Sequence, residues 1–294
     1  MEFFDFLNDY WNKNIYVLDE HEDACSKYYI FSDYGGEHAE SKYMTFSFLI
    51  ISSESLKSIY DGIGAFREKY FLRYKDKEIA YKNLKNIEVK AGLKDYLKLG
   101  LEKLEGHLVT FVVSKKLKSK YFFGDKNKYA ALISKIFHKE GKDSFKPDII
   151  PKIILVSLFM AFITSRYIPR TSSVKWISDD DPVLKGKNRE ATEQILSDVI
   201  KNIDQKFEKV SNFGSYQEIS SDYQSLDQDI LSYTDLAAGI LSDIVSDTDA
   251  DKVTCEEHKE IQEWLFAKGR LKKSNIKIDL NNNAGKYIYN FATI

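Results

Sequence analysis

Four positions in the 294-residue chain set a carboxylate beside apolar sequence, where an unpaired charge is costly. Asp33 follows Tyr28-Tyr29-Ile30-Phe31-Ser32 and precedes Tyr34-Gly35-Gly36. A side chain at a strand end projects into the space above the sheet edge, and glycines behind it leave room for a ligand or metal. The same Asp could instead cap its own turn through a side-chain hydrogen bond. Asp179, Asp180 and Asp181 come directly after Val174-Lys175-Trp176-Ile177-Ser178. Three adjacent anions repel, and a divalent cation that prefers oxygen, Mg2+ or Mn2+, would relieve the repulsion. A solvated acidic turn ahead of Pro182 is the alternative. Strand alternation predicts Asp179 and Asp181 on one face and Asp180 on the other. Asp235 sits in a helical pattern whose apolar stripe runs through Leu231, Thr234, Ala238, Leu241 and Val245. It falls on or beside that stripe and needs either a metal or a hydrogen-bonding partner. Gly239, one turn on, would admit a neighbouring element or a substrate. Glu78, in Lys77-Glu78-Ile79-Ala80-Tyr81-Lys82, reads by itself as one half of a surface ion pair.

The elements that must position these acids alternate between strand and helix. Residues 28–31 and 43–51 are aromatic and β-branched, with a glycine turn between them, and predict an antiparallel pair. Ser53 or Ser55 then caps a helix reaching residue 71. Residues 77–104 are mainly helical, with Leu93, Tyr96, Leu97, Leu101 and Leu104 at spacings of three and four, and Gly106 ends that stretch. Residues 108–113 suit a strand buried on both faces. Helices follow near 127–139 and 149–165, a strand over 173–178, and a helix over 188–203. A hairpin over Gly214 joins residues 207–213 to 216–220, and Asp227 caps a helix over 229–245. Residues 247–251 make an acidic loop, residues 255–268 a last helix, and residues 276–280 and 286–291 two short strands.

Composition sets limits on what these elements build. With 43% hydrophobic and 30% charged residues the chain is globular, and its formal net charge of −2 excludes nucleic-acid binding through bulk positive charge. Cys25 and Cys255 form no CxxC pair and read as reduced buried thiols. The acidic, aromatic start lacks a cationic leader, so a cytoplasmic protein is expected. The apolar run at 149–163 contains Pro151 and Lys152 and is shorter than the roughly 20 residues of a membrane span, so it reads as a buried core helix. His21, His38, His107, His138 and His258 form no metal-spaced pair, although His38 stands near enough to Asp33 in sequence to assist proton transfer. No nucleophile elbow, Walker loop or dinucleotide fingerprint occurs.

The order of the acids adds a resemblance. Tyr29-Ile30-Phe31-Ser32-Asp33-Tyr34-Gly35-Gly36, Glu78-Ile79-Ala80-Tyr81-Lys82, Trp176-Ile177-Ser178-Asp179-Asp180 and Tyr233-Thr234-Asp235-Leu236-Ala237-Ala238-Gly239 resemble the family called domain of unknown function 3800, and the acidic tetrad of RNase H-like folds. The resemblance covers roughly residues 25–250, and the Thr-Asp-Leu-Ala-Ala-Gly helix is its strongest part. That family has Glu after the first Asp; this chain has Tyr34, and Glu37 is the nearest acid that could compensate. The resemblance implies an α/β protein with an RNase H-like mixed central sheet flanked by helices over residues 1–250, including a helical insertion near 126–168. Residues 251–294 would then be a small extension, a helix and short strands packed on that domain.

It also implies a metal-dependent nuclease, with a bearing on bacterial defence or mobile elements. Hydrolysis of a phosphodiester needs an activated water and charge stabilisation at the attacking and leaving oxygens, which two divalent metals about 4 Å apart supply. Asp33, Glu78, Asp179 and Asp235 are the expected catalytic and metal-binding set, with Asp180 as a further ligand for Mg2+ or Mn2+. Nucleic acid, DNA or RNA, is the expected partner. Lys115, Lys116, Lys118, Lys120, Lys126 and Lys128 cluster around Tyr121-Phe122-Phe123 and offer both cations and stacking surfaces, a solvated surface loop being the alternative. Lys268-Gly269-Arg270-Leu271-Lys272-Lys273 is a second basic patch, whereas residues 218–251 hold nine acids and no lysine or arginine. The rival expectation is a catalytically degraded module that binds nucleic acid or a protein partner.

Overall fold

A computed structural model describes residues 7, 9–13, 27–38, 40–70, 79–117, 149–169, 172–179, 181–184, 186–203, 213–214, 224–246, 255–283 and 286–293. Its strands are β1 (Lys27–Gly35), β2 (Tyr43–Ser52), β3 (Gly106–Ser114), β4 (Ser173–Ser178), β5 (Phe213–Gly214), β6 (Leu271–Asn283) and β7 (Lys286–Thr293). Its helices are α1 (Ser53–Tyr70), α2 (Ile87–Lys103), α3 (Ile149–Tyr167), α4 (Gly186–Ile203), α5 (Gln224–Ser246) and α6 (Glu256–Phe266). The protein is α/β. One seven-stranded mixed sheet, ordered β5-β4-β1-β2-β3-β6-β7, lies between two layers of helices.

Alternation along the strands builds two cores. On the rear face Ile30, Phe46, Phe48, Phe111 and Trp176 pack with α3 and α4, and Phe111 stacks on Phe159 with ring centres 4.1 Å apart. On the front face Phe31, Leu49, Leu108, Val112 and Ile177 meet α1, α2, α5 and α6. The α3 helix is long and apolar enough to span a bilayer, but residues 152–164 are all buried within the protein. Pro151 is tolerated because it occupies the first turn, where the missing N–H has no partner to lose.

The chain differs from the sequence reading where pairing decides the ends of elements. Asp33 does not end β1: the strand runs two residues further, and Gly36, at φ +74°, makes the turn. Ser52, rather than Ser53 or Ser55, caps α1 by accepting the Ser55 amide at 3.1 Å. Gly106 opens β3 instead of ending α2, whose C-cap is Leu104. Asp227 lies inside the first turn of α5, not ahead of it. The short strands expected at 276–280 and 286–291, in an extension packed on the main domain, are parts of longer strands that continue the sheet itself, with β6 parallel to β3 and β7 antiparallel to β6. Phe213–Gly214 pairs in parallel with β4. Cys255, expected as a buried thiol, is exposed; the predicted helix at 127–139, the other residues of the hairpin over Gly214, the acidic loop at 247–251 and Cys25 fall outside the described residues.

Candidate active site

The carboxylates meet at the carboxyl ends of β1 and β4, two neighbouring parallel strands. Such strand ends open onto a crevice beside the sheet and commonly hold ligands. Asp33 lies on the front face with Phe31, and α5 crosses above it. The roll of α5 is fixed by its first half. Arg67 of α1 forms an ion pair with Asp229, and Tyr60 donates to Asp227 at 2.5 Å. Tyr233 stacks on Tyr96 at 4.3 Å and donates to its carbonyl at 2.9 Å. Gly100 permits this, because a Cβ there would come within 2.5 Å of the Tyr233 ring. With the helix so held, Asp235 faces the sheet and its charge acts on Asp33.

Burial and this neighbour together set the electrostatics of Asp33. Burial pushes the Asp33 carboxyl well above the usual carboxylate range, and the charges of Asp235 and Asp179 push it further. The Tyr34 amide, donating to Asp33 Oδ1 at 2.8 Å, opposes them. Asp33 and Asp235 are half-buried, while Asp179 is exposed at the mouth of the cluster. Its backbone is tied to β1 by its own amide, which donates to the Ser32 carbonyl at 3.3 Å.

Asp235 also fixes the segment ahead of α2. Its Oδ2 accepts the Tyr81 amide at 2.6 Å, and the Tyr81 hydroxyl donates to Asp243 at 2.7 Å. The ring lies over Gly239 and stacks on His258, with centres 5.3 Å apart. Asp235, Gly239 and Asp243 are spaced four apart and form one stripe of α5 that receives a single tyrosine. The occupant of the Gly239 notch is therefore Tyr81. A Cβ at 239 would stand 2.3 Å from that ring. Gly239→Ala should consequently destabilise the protein, since overpacking costs about 1–3 kcal/mol and the better helix former returns about 1. Urea unfolding would measure a net loss of up to about 2 kcal/mol.

The remaining expected residues divide. Asp181 does not share a face with Asp179: β4 ends at Ser178, and in the following turn the Asp181 amide donates to the Asp179 carbonyl at 2.6 Å. Its carboxylate is turned to the rear, where it pairs with Lys152. Glu37 does not compensate for Tyr34, because it too pairs with Lys152. Tyr34 is the residue after Asp33 and so points to the rear core, with its ring 5.8 Å from that of Phe46. His38 is exposed in the turn after β1, where its carbonyl accepts Lys115 Nζ at 2.7 Å. Lys115 and Lys116 directly follow β3, at the same end of the sheet as the carboxylates and two strands or about 10 Å across from β1. The second basic patch lies at the opposite end, beside Gly106; Arg270 there pairs with Glu105 at 2.7 Å. Glu78, Asp180, Lys118, Lys120, Lys126 and Lys128 lie outside the described residues.

No family model, curated protein or solved structure matches this chain.

The donor set itself supplies the remaining test. Among the described residues no three His, Cys, Asp or Glu side chains form a ready metal-binding group. Two neighbouring carboxylates with a third charge nearby are nevertheless the oxygen donors a hard cation takes, and Mg2+ is commonly held by one or two carboxylates, with waters and substrate phosphate completing its shell. Asp33 and Asp235 fit that role, with Asp179 beside them.

Proposed function

We propose that the protein is a divalent-metal-dependent nuclease of RNase H-like fold. One observation carries the reading: the Asp33 and Asp235 carboxyls meet under the charge of Asp179, at the ends of two adjacent parallel strands. The sheet order supports it. Within the seven strands, β3-β2-β1-β4-β5 has only β2 reversed, which is the arrangement of RNase H-like sheets, and β6 and β7 add to its β3 edge. The order of acids resembling domain of unknown function 3800 supports it as well. The departure at Tyr34 does not weaken it, since residue 34 points away from the cluster and removes no ligand from it.

Asp33 and Asp235 would hold Mg2+ or Mn2+, which supplies an activated water and neutralises charge on the phosphate. The chain itself holds Asp235 in place through the Tyr81 amide and leaves Asp179 open at the mouth. Nucleic acid would run from this mouth towards Lys115 and Lys116. The direct test is incubation of the purified chain with end-labelled single- and double-stranded DNA and RNA, with Mg2+, with Mn2+ and with chelator. Metal-dependent cleavage of any of them is the expected result, and its absence from folded protein would sink the reading.

The exposed Lys116 gives an independent check. Lys116→Ala should weaken single-strand binding equally across sequences and reduce the slope of log affinity against log salt by about 0.7, the share of one phosphate contact. Fluorescence anisotropy over a salt series measures both.

A second reading, a catalytically degraded binding module, is favoured by the Tyr34 and Tyr81 amides, which donate to Asp33 and Asp235 and give each acid a partner without metal. It expects nucleic-acid or protein binding with no cleavage and no response to Mg2+.

A further inference from the structure

We propose that Lys152, on the rear face of the sheet, is a positioning residue that holds the Asp179 turn beside Asp33; this rests on the nuclease reading above. Lys152 is buried in the first turn of α3, whose next eleven residues, also buried, are apolar except for Ser157. A lysine in such a place is costly, and packing of the helix does not require it. Its ammonium pairs with Asp181 and Glu37 and lies 4.8 Å from the centre of the Tyr34 ring.

Two of these contacts, those with Asp181 and Tyr34, bear on backbone that carries a front-face carboxylate. Asp181 reaches Asp179 through the 2.6 Å amide-to-carbonyl bond, and its carboxylate accepts the Val183 amide at 2.8 Å. Tyr34 is the next residue after Asp33, and its hydroxyl shares a 3.0 Å hydrogen bond with Ser32. Ser32 in turn receives Trp176 Nε1 at 2.8 Å, and its carbonyl accepts the Ser178 hydroxyl at 3.1 Å. Lys152 thus grips β1 and the end of β4 directly behind Asp33 and Asp179. Asp179 is exposed, stands past the end of its strand, and its charge opposes that of Asp33. A cation anchoring the turn from behind keeps it inward without entering the cluster or lowering its charge by direct contact. Partners standing behind metal-binding carboxylates typically contribute about 10- to 100-fold in metal affinity.

The test is Mn2+ binding by electron paramagnetic resonance on the full chain, comparing wild type, Lys152→Met and the double variant Lys152→Met/Asp181→Asn, with urea unfolding of each. Lys152→Met should raise the Mn2+ dissociation constant about 10- to 100-fold and lower stability, because Asp181 is left unpaired. The double variant buries no lone charge, so it should regain stability but not Mn2+ affinity. Recovery of both would show that Lys152 only neutralises Asp181 and would overturn the proposal, as would unchanged binding in a folded Lys152→Met. Should the single variant fail to fold, the double variant decides by the same criterion. A wild-type chain that neither binds Mn2+ nor cleaves nucleic acid overturns the nuclease reading itself, and the positioning role with it.

Discussion

Asp235→Asn is expected to leave the fold intact and to abolish metal-dependent cleavage. The substituted amide keeps an oxygen for the Tyr81 amide, so the local hydrogen bond that positions residues 79–81 against α5 survives. What it loses is the charge opposite Asp33 and a strong donor to a divalent cation. Metal-assisted charge stabilisation contributes several kcal/mol to a hydrolytic barrier, and each 1.36 kcal/mol is tenfold in rate, so kcat should fall by about three powers of ten. Circular dichroism and urea unfolding would establish that the variant is folded before cleavage of the labelled substrates is timed. A folded Asp235→Asn that cleaves at the wild-type rate would remove Asp235 from the site, whatever the source of the activity.

Legibility in the sequence followed the range of the interaction that fixed each feature. β4 could be read to the residue, because Val174, Trp176 and Ile177 are apolar and the run stops at an acidic turn. The first half of β6 could not. Leu271-Lys272-Lys273-Ser274-Asn275 reads as a basic patch, and it is a strand because β3 pairs with it across more than 150 residues of chain. Asp181 was assigned to the wrong face for a related reason, since alternation was carried past the end of the strand into a turn. The order of Asp33, Asp179 and Asp235 was visible in the sequence; their meeting depends on the roll of α5, set by Arg67, Tyr96 and Tyr233, which no local pattern encodes. Two participants were missed altogether. The four-residue spacing of Asp235, Gly239 and Asp243 is a signal for Tyr81, and the one lysine in the apolar run at 149–163 is a signal for Lys152.

Asp33→Asn should stabilise the metal-free protein at neutral pH, an effect opposite to that of removing an ordinary structural acid. Burial and the neighbouring charges of Asp235 and Asp179 raise the Asp33 carboxyl in the folded state. The folded chain therefore holds this proton more tightly than the unfolded chain does. Its contribution to stability is complete below the unfolded value of about 3.9 and is lost as pH rises through the raised folded value. Above that range the folded protein carries the repulsion in full, and Asn removes it while its oxygen still accepts the Tyr34 amide. Relief of strain at a functional site commonly returns about 0.5–2 kcal/mol. At pH 8 this amounts to a Tm increase of a few degrees, at roughly 2–4 °C per kcal/mol. Mg2+ should reverse the ranking, because wild type gains stability as a ligand binds the folded state alone, whereas Asp33→Asn has lost a donor and gains little. Thermal unfolding at pH 4, 6 and 8, with and without Mg2+, separates the outcomes. Stabilisation by Asn at pH 8 that disappears at pH 4, with a wild-type response to Mg2+, fits a metal-binding pair. The same stabilisation with no response to Mg2+ fits the binding module. Loss of stability in Asp33→Asn at every pH would mean that Asp33 serves as a structural hydrogen-bond acceptor, and that the two acids are not a repelling pair.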